Sequence, residues 1–223
     1  MIAGGTGAGK TTLLNAMSFS ISPHERIITI EDAAELQLQQ PHVVRAETRP
    51  ANAEGLAAVS QRELVKNALR MRPDRIILGE VRGDEAFEMM QAMNTGHEGS
   101  LSTLHANSSL DALVRIENML MMAQSTLPLF ALRRQVADTI DVVVQVERMR
   151  DGKRRVVAIT EVIGLEGEQY VTNDLYRFEV QGEDHQGQLL GKYMSVRSLP
   201  AFASKAQYYQ LDSQLRSAME LDL

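Results

Sequence analysis

The chain has 223 residues, of which 44% are hydrophobic and 23% charged, with a net charge of −6 and no cysteine. These values fit one soluble globular domain, or one with an appendage. They exclude a grip on nucleic acid that rests mainly on overall charge, a disulfide framework and a thiolate metal site. No apolar run approaches the length of a membrane span, and the N-terminus lacks the basic-then-apolar layout of a signal peptide, so a cytosolic location is expected.

The first element in the chain is Gly4-Gly5-Thr6-Gly7-Ala8-Gly9-Lys10-Thr11-Thr12, which fits G-x-x-x-x-G-K-[ST], the phosphate-binding loop. Glycines let the backbone turn tightly and approach an anion with no Cβ in the way. Successive N–H groups then form a nest. Lys10 adds a point charge for the β- and γ-phosphates, and the Thr11 hydroxyl can ligate Mg²⁺. The helix opening near Lys10 aims its positive end at the same anion. Such a loop normally leaves a buried parallel strand. Only Met1–Ala3 precede it here, so the chain is expected to be a fragment that lacks most of that strand.

Leu13, Leu14 and Met17 fall at helical spacing, and a helix is expected from Thr11 to about Ser20. Arg26–Ile30 reads as a strand covered on both faces, ending in Glu31-Asp32, with Glu35 further on. Val43–Thr48 is a second strand, with Arg45 and Arg49 bracketing its end, and 50–59 a loop. Ser60 and Glu63 have capping-box spacing and open a helix to about Met71. Arg75–Gly79 is a further buried strand, ending in Glu80. Asp84 is a candidate cap for the helix that carries Ala86, Met89, Met90 and Met93, and Gly96 ends that helix. Ser100–Leu104 is a strand ending in His105, and helices follow at about 109–122 and 129–138. This alternation implies a mainly parallel sheet flanked by helices, an α/β fold.

The pattern then changes. Val142–Met149 and Arg155–Ile163 flank the turn signal Asp151-Gly152, and Tyr170-Val171 and Leu175–Val180 read as further antiparallel strands. Together they form a small antiparallel add-on at about 139–181. Residues 182–192 read as a polar loop. A C-terminal helix is expected from Pro200, with Tyr208, Leu211, Leu215 and Met219 on one face. The expected division is a phosphate-binding α/β domain over 1–181, with its first strand truncated, and a polar loop with a helical tail over 182–223.

Ligands of open α/β sheets sit beyond the carboxyl ends of the strands. Four strands here end in chemistry: the phosphate loop, Glu31-Asp32, Gly79-Glu80 and His105. Phosphoryl transfer needs a nest, Mg²⁺, a carboxylate for water and cations for the transition state. Glu80 ends an apolar strand in the manner of a Walker B acid acting on Mg²⁺ or its water shell. Glu31 is the candidate for polarising the attacking water. His105 can sense the γ-phosphate by hydrogen bonding. Arg45 and Arg49 are candidates for phosphate or inter-subunit contacts. Each has a plainer reading as a helix cap, a strand-end hydrogen-bonding group or a surface salt bridge. The methionines at 89, 90, 93, 119, 121 and 122 read as core and interface fillers.

Gly4–Thr12, Ile28–Asp32, Ile77–Arg82 and Ser102–Asn107 resemble, in order, the Walker A, Asp box, Walker B and His box of the type II/IV secretion ATPase superfamily. Glu47–Pro50, Arg62–Arg75 and Met93–Gly99 are similar to the CpaF/TadA branch, the motors of Flp (Tad) pilus assembly. The resemblance implies a RecA-like domain of a ring-shaped hexamer that binds ATP and Mg²⁺ between subunits. It implies inner-membrane platform proteins as partners, and a cytoplasmic place beside that membrane. By motif, Lys10 and Thr11 hold phosphate and Mg²⁺, while Glu31, Glu80 and His105 are the Asp-box, Walker B and His-box residues. The arginine contributions fall on Arg45, Arg49 or Arg62. The family's N-terminal domain is missing, which predicts weak ATPase activity and poor ring formation by this chain alone. The alternatives are a conjugation-type (type IV secretion) traffic ATPase and an inactive truncated nucleotide-binding subunit. Acidity and the lack of basic or aromatic clusters argue against a nucleic-acid motor.

Overall fold

The strands begin where β-branched residues run without polar interruption. In a computed structural model, which describes residues 1–52, 58–124 and 126–221, Ile2–Gly4 forms β1, Ile27–Glu31 β2, Val43–Glu47 β3, Arg75–Val81 β4 and Leu101–Leu104 β5. Between them lie α1 (Lys10–Ser18), α2 (Gln61–Ala68, extended by a 3-10 turn over Leu69–Met71) and α3 (Glu85–Asn94). Helices α4 (Ser109–Ala123) and α5 (Leu129–Thr139) follow. The rest is β6 (Val142–Arg148), β7 (Arg154–Glu166), β8 (Gln169–Glu183), β9 (Leu189–Ser195) and the short helices α6 (Ala203–Tyr208) and α7 (Asp212–Ala218).

The described strands form one sheet in the order β3-β2-β4-β5-β1-β6-β7-β8-β9. From β3 to β6 every pairing is parallel, and from β6 to β9 every pairing is antiparallel. Period-2 alternation sends neighbouring apolar residues to opposite faces. Ile2, Ile27 and Ile77 pack with Ala8 and Leu14 of the α1 side. Ala3, Ile28, Ile30, Ile76 and Leu78 pack with Val65, Met89, Leu113 and Val136 from α2, α3, α4 and α5. Many of these side chains are fully buried, each stabilising the fold by about 1.5–3 kcal/mol relative to an exposed position.

The α/β architecture with its flanked parallel sheet is as expected, and four details differ. β6 was expected within the antiparallel add-on, but it is also a parallel partner of β1, with Gly4 opposite Val146. Residues 182–192 are not a polar loop. β8 runs through Val180 to Glu183, a tight turn holds Gly187 at φ 74°, and β9 returns beside it. The polar side chains there are those of a strand exposed at the sheet edge, which composition alone reads as loop. The C-terminal helix is two short helices, broken where Gln210 adopts a left-handed φ of 59°. Asp84 does not cap α3 through its side chain; Glu85 Oε1 instead accepts from the backbone N–H groups of Arg82 and Gly83 at 2.6 and 2.8 Å. The Ser60–Glu63 capping box is formed as read. Positions 53–57 of the expected 50–59 loop and residues 222 and 223 of the expected tail lie outside the described residues.

Candidate functional site

β1 ends at Gly4, and a Cβ there would meet the Val146 carbonyl oxygen at 2.4 Å, so only glycine lets β1 lie this close to β6. The chain then loops through Gly7 and Gly9, at φ 70° and 98°, before α1 starts at Lys10. A left-handed residue among right-handed ones turns consecutive N–H groups to one side, the geometry of an anion nest. Lys10 Nζ donates to the carbonyls of Gly4 and Gly5 at 3.0 and 3.3 Å and lies 3.8 Å from Glu80 Oε1. Thr11 Oγ1 donates to Glu35 Oε2 at 3.3 Å.

β2, β4, β5 and β1 are successive neighbours, so their carboxyl ends meet at one rim. A cleft of about 630 Å³ opens there, within the range of nucleotide-sized sites. Gly7 to Thr12, Glu31, Asp32, Glu35, Gly79, Glu80 and Thr103 line it. Glu31 is buried, which for an ionised acid needs compensation. Its Oε1 accepts the backbone N–H groups of Glu35 and Leu36, both at 2.9 Å. Gly79 makes room for it, since a Cβ at that position would meet Glu31 Cγ at 3.1 Å. Thr103 Oγ1 donates to the Gly79 carbonyl at 2.6 Å and holds β4 against β5 at this point.

Glu80 is covered by Arg82, whose Nε and Nη2 donate to its Oε2 at 2.9 and 2.6 Å. Those bonds raise the Arg82 pKa above the usual guanidinium value. Arg82 also lies 3.7 Å from Asp32. Arg154, the first residue of β7, reaches across and donates from Nε to the Gly7 carbonyl at 2.8 Å. Gln61, buried in the first turn of α2, lines the same cleft, and its Oε1 accepts no hydrogen bond among the described residues. Sequence reasoning passed over Arg82, Arg154 and Gln61 as site residues. Arg82 stood inside the Ile77–Arg82 motif; Arg154 lies far along the chain and carries no local signal.

Not every expected residue lines the cleft. His105 stands one residue past β5, half-buried, next to the rim but outside the lining set. Arg45 is exposed on the edge strand β3, donating to the Leu38 carbonyl at 3.4 Å, and Arg49 is exposed just beyond it. Arg62 is taken up by Asp84 and Glu88, each at 3.0 Å. The arginines that do line this chain's cleft are Arg82 and Arg154.

The geometry fits a nucleoside triphosphate with a metal: a nest with open space beside Gly5 and Gly7, a lysine, a hydroxyl and two carboxylates. Among the described residues no group of three or more His, Cys, Asp or Glu could hold a metal by itself. A magnesium ion here would therefore need most of its ligands from phosphate and water, with Thr11 and Glu80 the protein groups at hand.

The family model for type II/IV secretion system proteins matches residues 1–177. The chain belongs to this family. Among relatives of this secretion-system chain, a putative conjugal transfer protein of Mycobacterium tuberculosis is 48% identical over 167 residues, covering 75% of this chain and 47% of that protein. The type IV secretion system protein PtlH of Bordetella pertussis is 48% identical over 171 residues, covering 74% of this chain and 50% of that protein. The solved VirB11 ATPase from the Brucella suis type IV secretion system, in complex with sulphate, superposes with a TM-score of 0.64 at 34% identity, over 71% of this chain and 48% of that one. The fold is thus the RecA-like fold of secretion ATPases. The chain spans about half the length of the curated relatives it matches. No helix of the described residues is long and apolar enough to cross a membrane.

Proposed function

We propose that this chain is the nucleotide-hydrolysing domain of a secretion motor, acting on ATP with Mg²⁺. The observation that carries this reading is the meeting of the phosphate loop with two carboxylates, Glu31 and Glu80, in one cleft. Gly4–Gly9 wrap the phosphates with their N–H groups, Lys10 neutralises the outer ones, and Thr12 continues α1 behind them. When bound, Mg²⁺ offsets phosphate charge. Thr11 and Glu80, which here pair with Glu35 and Arg82, would hold its ligand shell. Glu31 is oriented through Oε1 by two backbone amides, while its Oε2 accepts no hydrogen bond among the described residues. It takes the proton of the attacking water. His105 reports the phosphate state from beside the rim. Arg45 and Arg49, exposed at the β3 edge, serve the phosphates of a neighbouring subunit in a homo-hexamer.

The relatives favour a type IV secretion or conjugation machine. Platform proteins at the inner membrane as partners, and a cytoplasmic place for this domain, rest on the resemblance of its four motifs. The Flp pilus-assembly reading rests on Glu47–Pro50, Arg62–Arg75 and Met93–Gly99 alone. Flp pilin and prepilin peptidase genes beside this one, in place of conjugation channel genes, would favour it.

Titration with a fluorescent ATP analogue in Mg²⁺ tests the proposal. Saturable binding to the wild type and loss of at least about a hundredfold in Lys10→Ala is the expected result. Equal binding by both proteins refutes it.

A further inference from the structure

The phosphate loop has a second cation, and it comes from the far half of the sheet. β6 lies directly against β1, so the β6–β7 hairpin rises beside the loop. That hairpin, 147–155, holds Arg148, Arg150, Lys153, Arg154 and Arg155 against only Glu147 and Asp151. Two of its cations are spoken for. Arg150 pairs with Glu183. Arg155 donates to both oxygens of Asp151 at 2.9 and 2.6 Å, and its guanidinium lies 5.3 Å from the Phe178 ring centre. Alternation along β7 turns Arg154 to the other face, toward the loop.

Arg154 has no such acid. Its Nε donates to the Gly7 carbonyl, and its Cδ passes so close to Gly9 that a Cβ there would meet it at 3.0 Å. Its two terminal NH₂ groups carry no hydrogen bond or ion pair among the described residues, and the residue lines the cleft. A guanidinium fixed by one nitrogen, with its remaining donors free beside an anion nest, is a preorganised phosphate ligand. Its support is itself fixed. Asp151 accepts from the Lys153 and Leu189 backbone N–H groups, both at 3.1 Å, and so ties the hairpin turn to β9.

We propose that Arg154 is a positioning residue for the nucleotide: it braces the phosphate loop through Gly7 and binds the polyphosphate with its terminal NH₂ groups, from the side opposite Glu80. This assignment rests on the nucleotide reading of the cleft. It also makes the site depend on β7, so that bound phosphate joins the parallel and antiparallel halves of the sheet.

Calorimetric titration of the chain with Mg²⁺–ADP and, separately, with inorganic tripolyphosphate tests it. Arg154→Gln is expected to weaken both ligands by about tenfold, and Arg154→Lys to restore part of that loss. Arg150→Gln, on the same hairpin, is expected to leave both affinities unchanged. A loss for ADP with tripolyphosphate unaffected overturns the assignment, because the contact is then to base or ribose. Unchanged affinities with a lowered melting temperature also overturn it, because the residue is then only a brace. Binding of neither ligand by the wild type refutes the nucleotide reading itself, a result distinct from any pattern in the Arg154 variants.

Discussion

Single residues decide whether the cleft has chemistry or only shape. Gly79 is the sharpest case, since it is the space that the Glu31 side chain occupies. Gly79→Ala is expected to cost about 1 kcal/mol of stability while turning Glu31 off its two backbone amides. Phosphate release should then fall more than nucleotide affinity does, as steady-state kinetics set against equilibrium binding would reveal. A variant that loses affinity and turnover in proportion contradicts this role for Gly79. Arg82 acts in the opposite sense. Its guanidinium covers the Glu80 carboxylate, so Arg82→Ala is expected to expose that carboxylate and tighten Mg²⁺ dependence, read as a lower metal concentration for half-maximal nucleotide binding. At this scale the sequence was legible wherever chemistry and spacing coincide, as in Gly4–Thr11, Glu31 and Glu80. Arg154 was not legible, because its position at the loop depends on a register between strands far apart in the chain.

Individual elements carry those residues, and the β6–β7 hairpin is the one whose state can be read by pH. The Arg155 guanidinium beside Asp151 holds that carboxyl well below the usual carboxylate range. A carboxylate depressed in the folded state adds stability that is fully present above its unfolded value, near 3.9, and is lost as pH falls toward the folded value. Asp151→Asn is therefore expected to be less stable than wild type at neutral pH, with the gap closing below about pH 4. Urea melts at several pH values check this, and a gap that stays constant down to the lowest pH contradicts it. The hairpin turn itself was readable from Asp151-Gly152, with Gly152 at φ 78°. β9 was not, because an edge strand facing water has loop-like composition. β9 also lies beyond the residues that the family model matches, 1–177. The break between α6 and α7 escaped for another reason: Gln210 adopts a left-handed turn that its side chain does not announce.

At the scale of the molecule, one sheet joins a parallel half that holds the phosphate loop to an antiparallel half that braces it. The helical layer is locked across the same division. Arg133 of α5 donates to both oxygens of Glu117 of α4 at 2.9 Å, and Tyr170 of β8 donates to Glu117 Oε2 at 3.1 Å. Glu117 is buried, so Glu117→Ala leaves Arg133 only the Glu168 carbonyl at 2.7 Å and the exposed Glu168 carboxylate at 3.6 Å, and is expected to cost about 3 kcal/mol. Thermal melts check that value, with Tyr170→Phe expected to be much milder. The α/β class and the rim of strand ends followed from element order alone; that β6 serves both halves did not, since parallel pairing to β1 leaves no mark in the pattern of Val142–Arg148. The central claim is that these separate segments form one nucleotide site. Hydrogen exchange with and without a non-hydrolysable Mg²⁺–ATP analogue tests it most directly. The account predicts protection at 4–12, 31–36, 79–82 and the start of β7 together, with α6 and α7 unchanged; protection absent from these segments, or confined to residues away from the cleft, would contradict it.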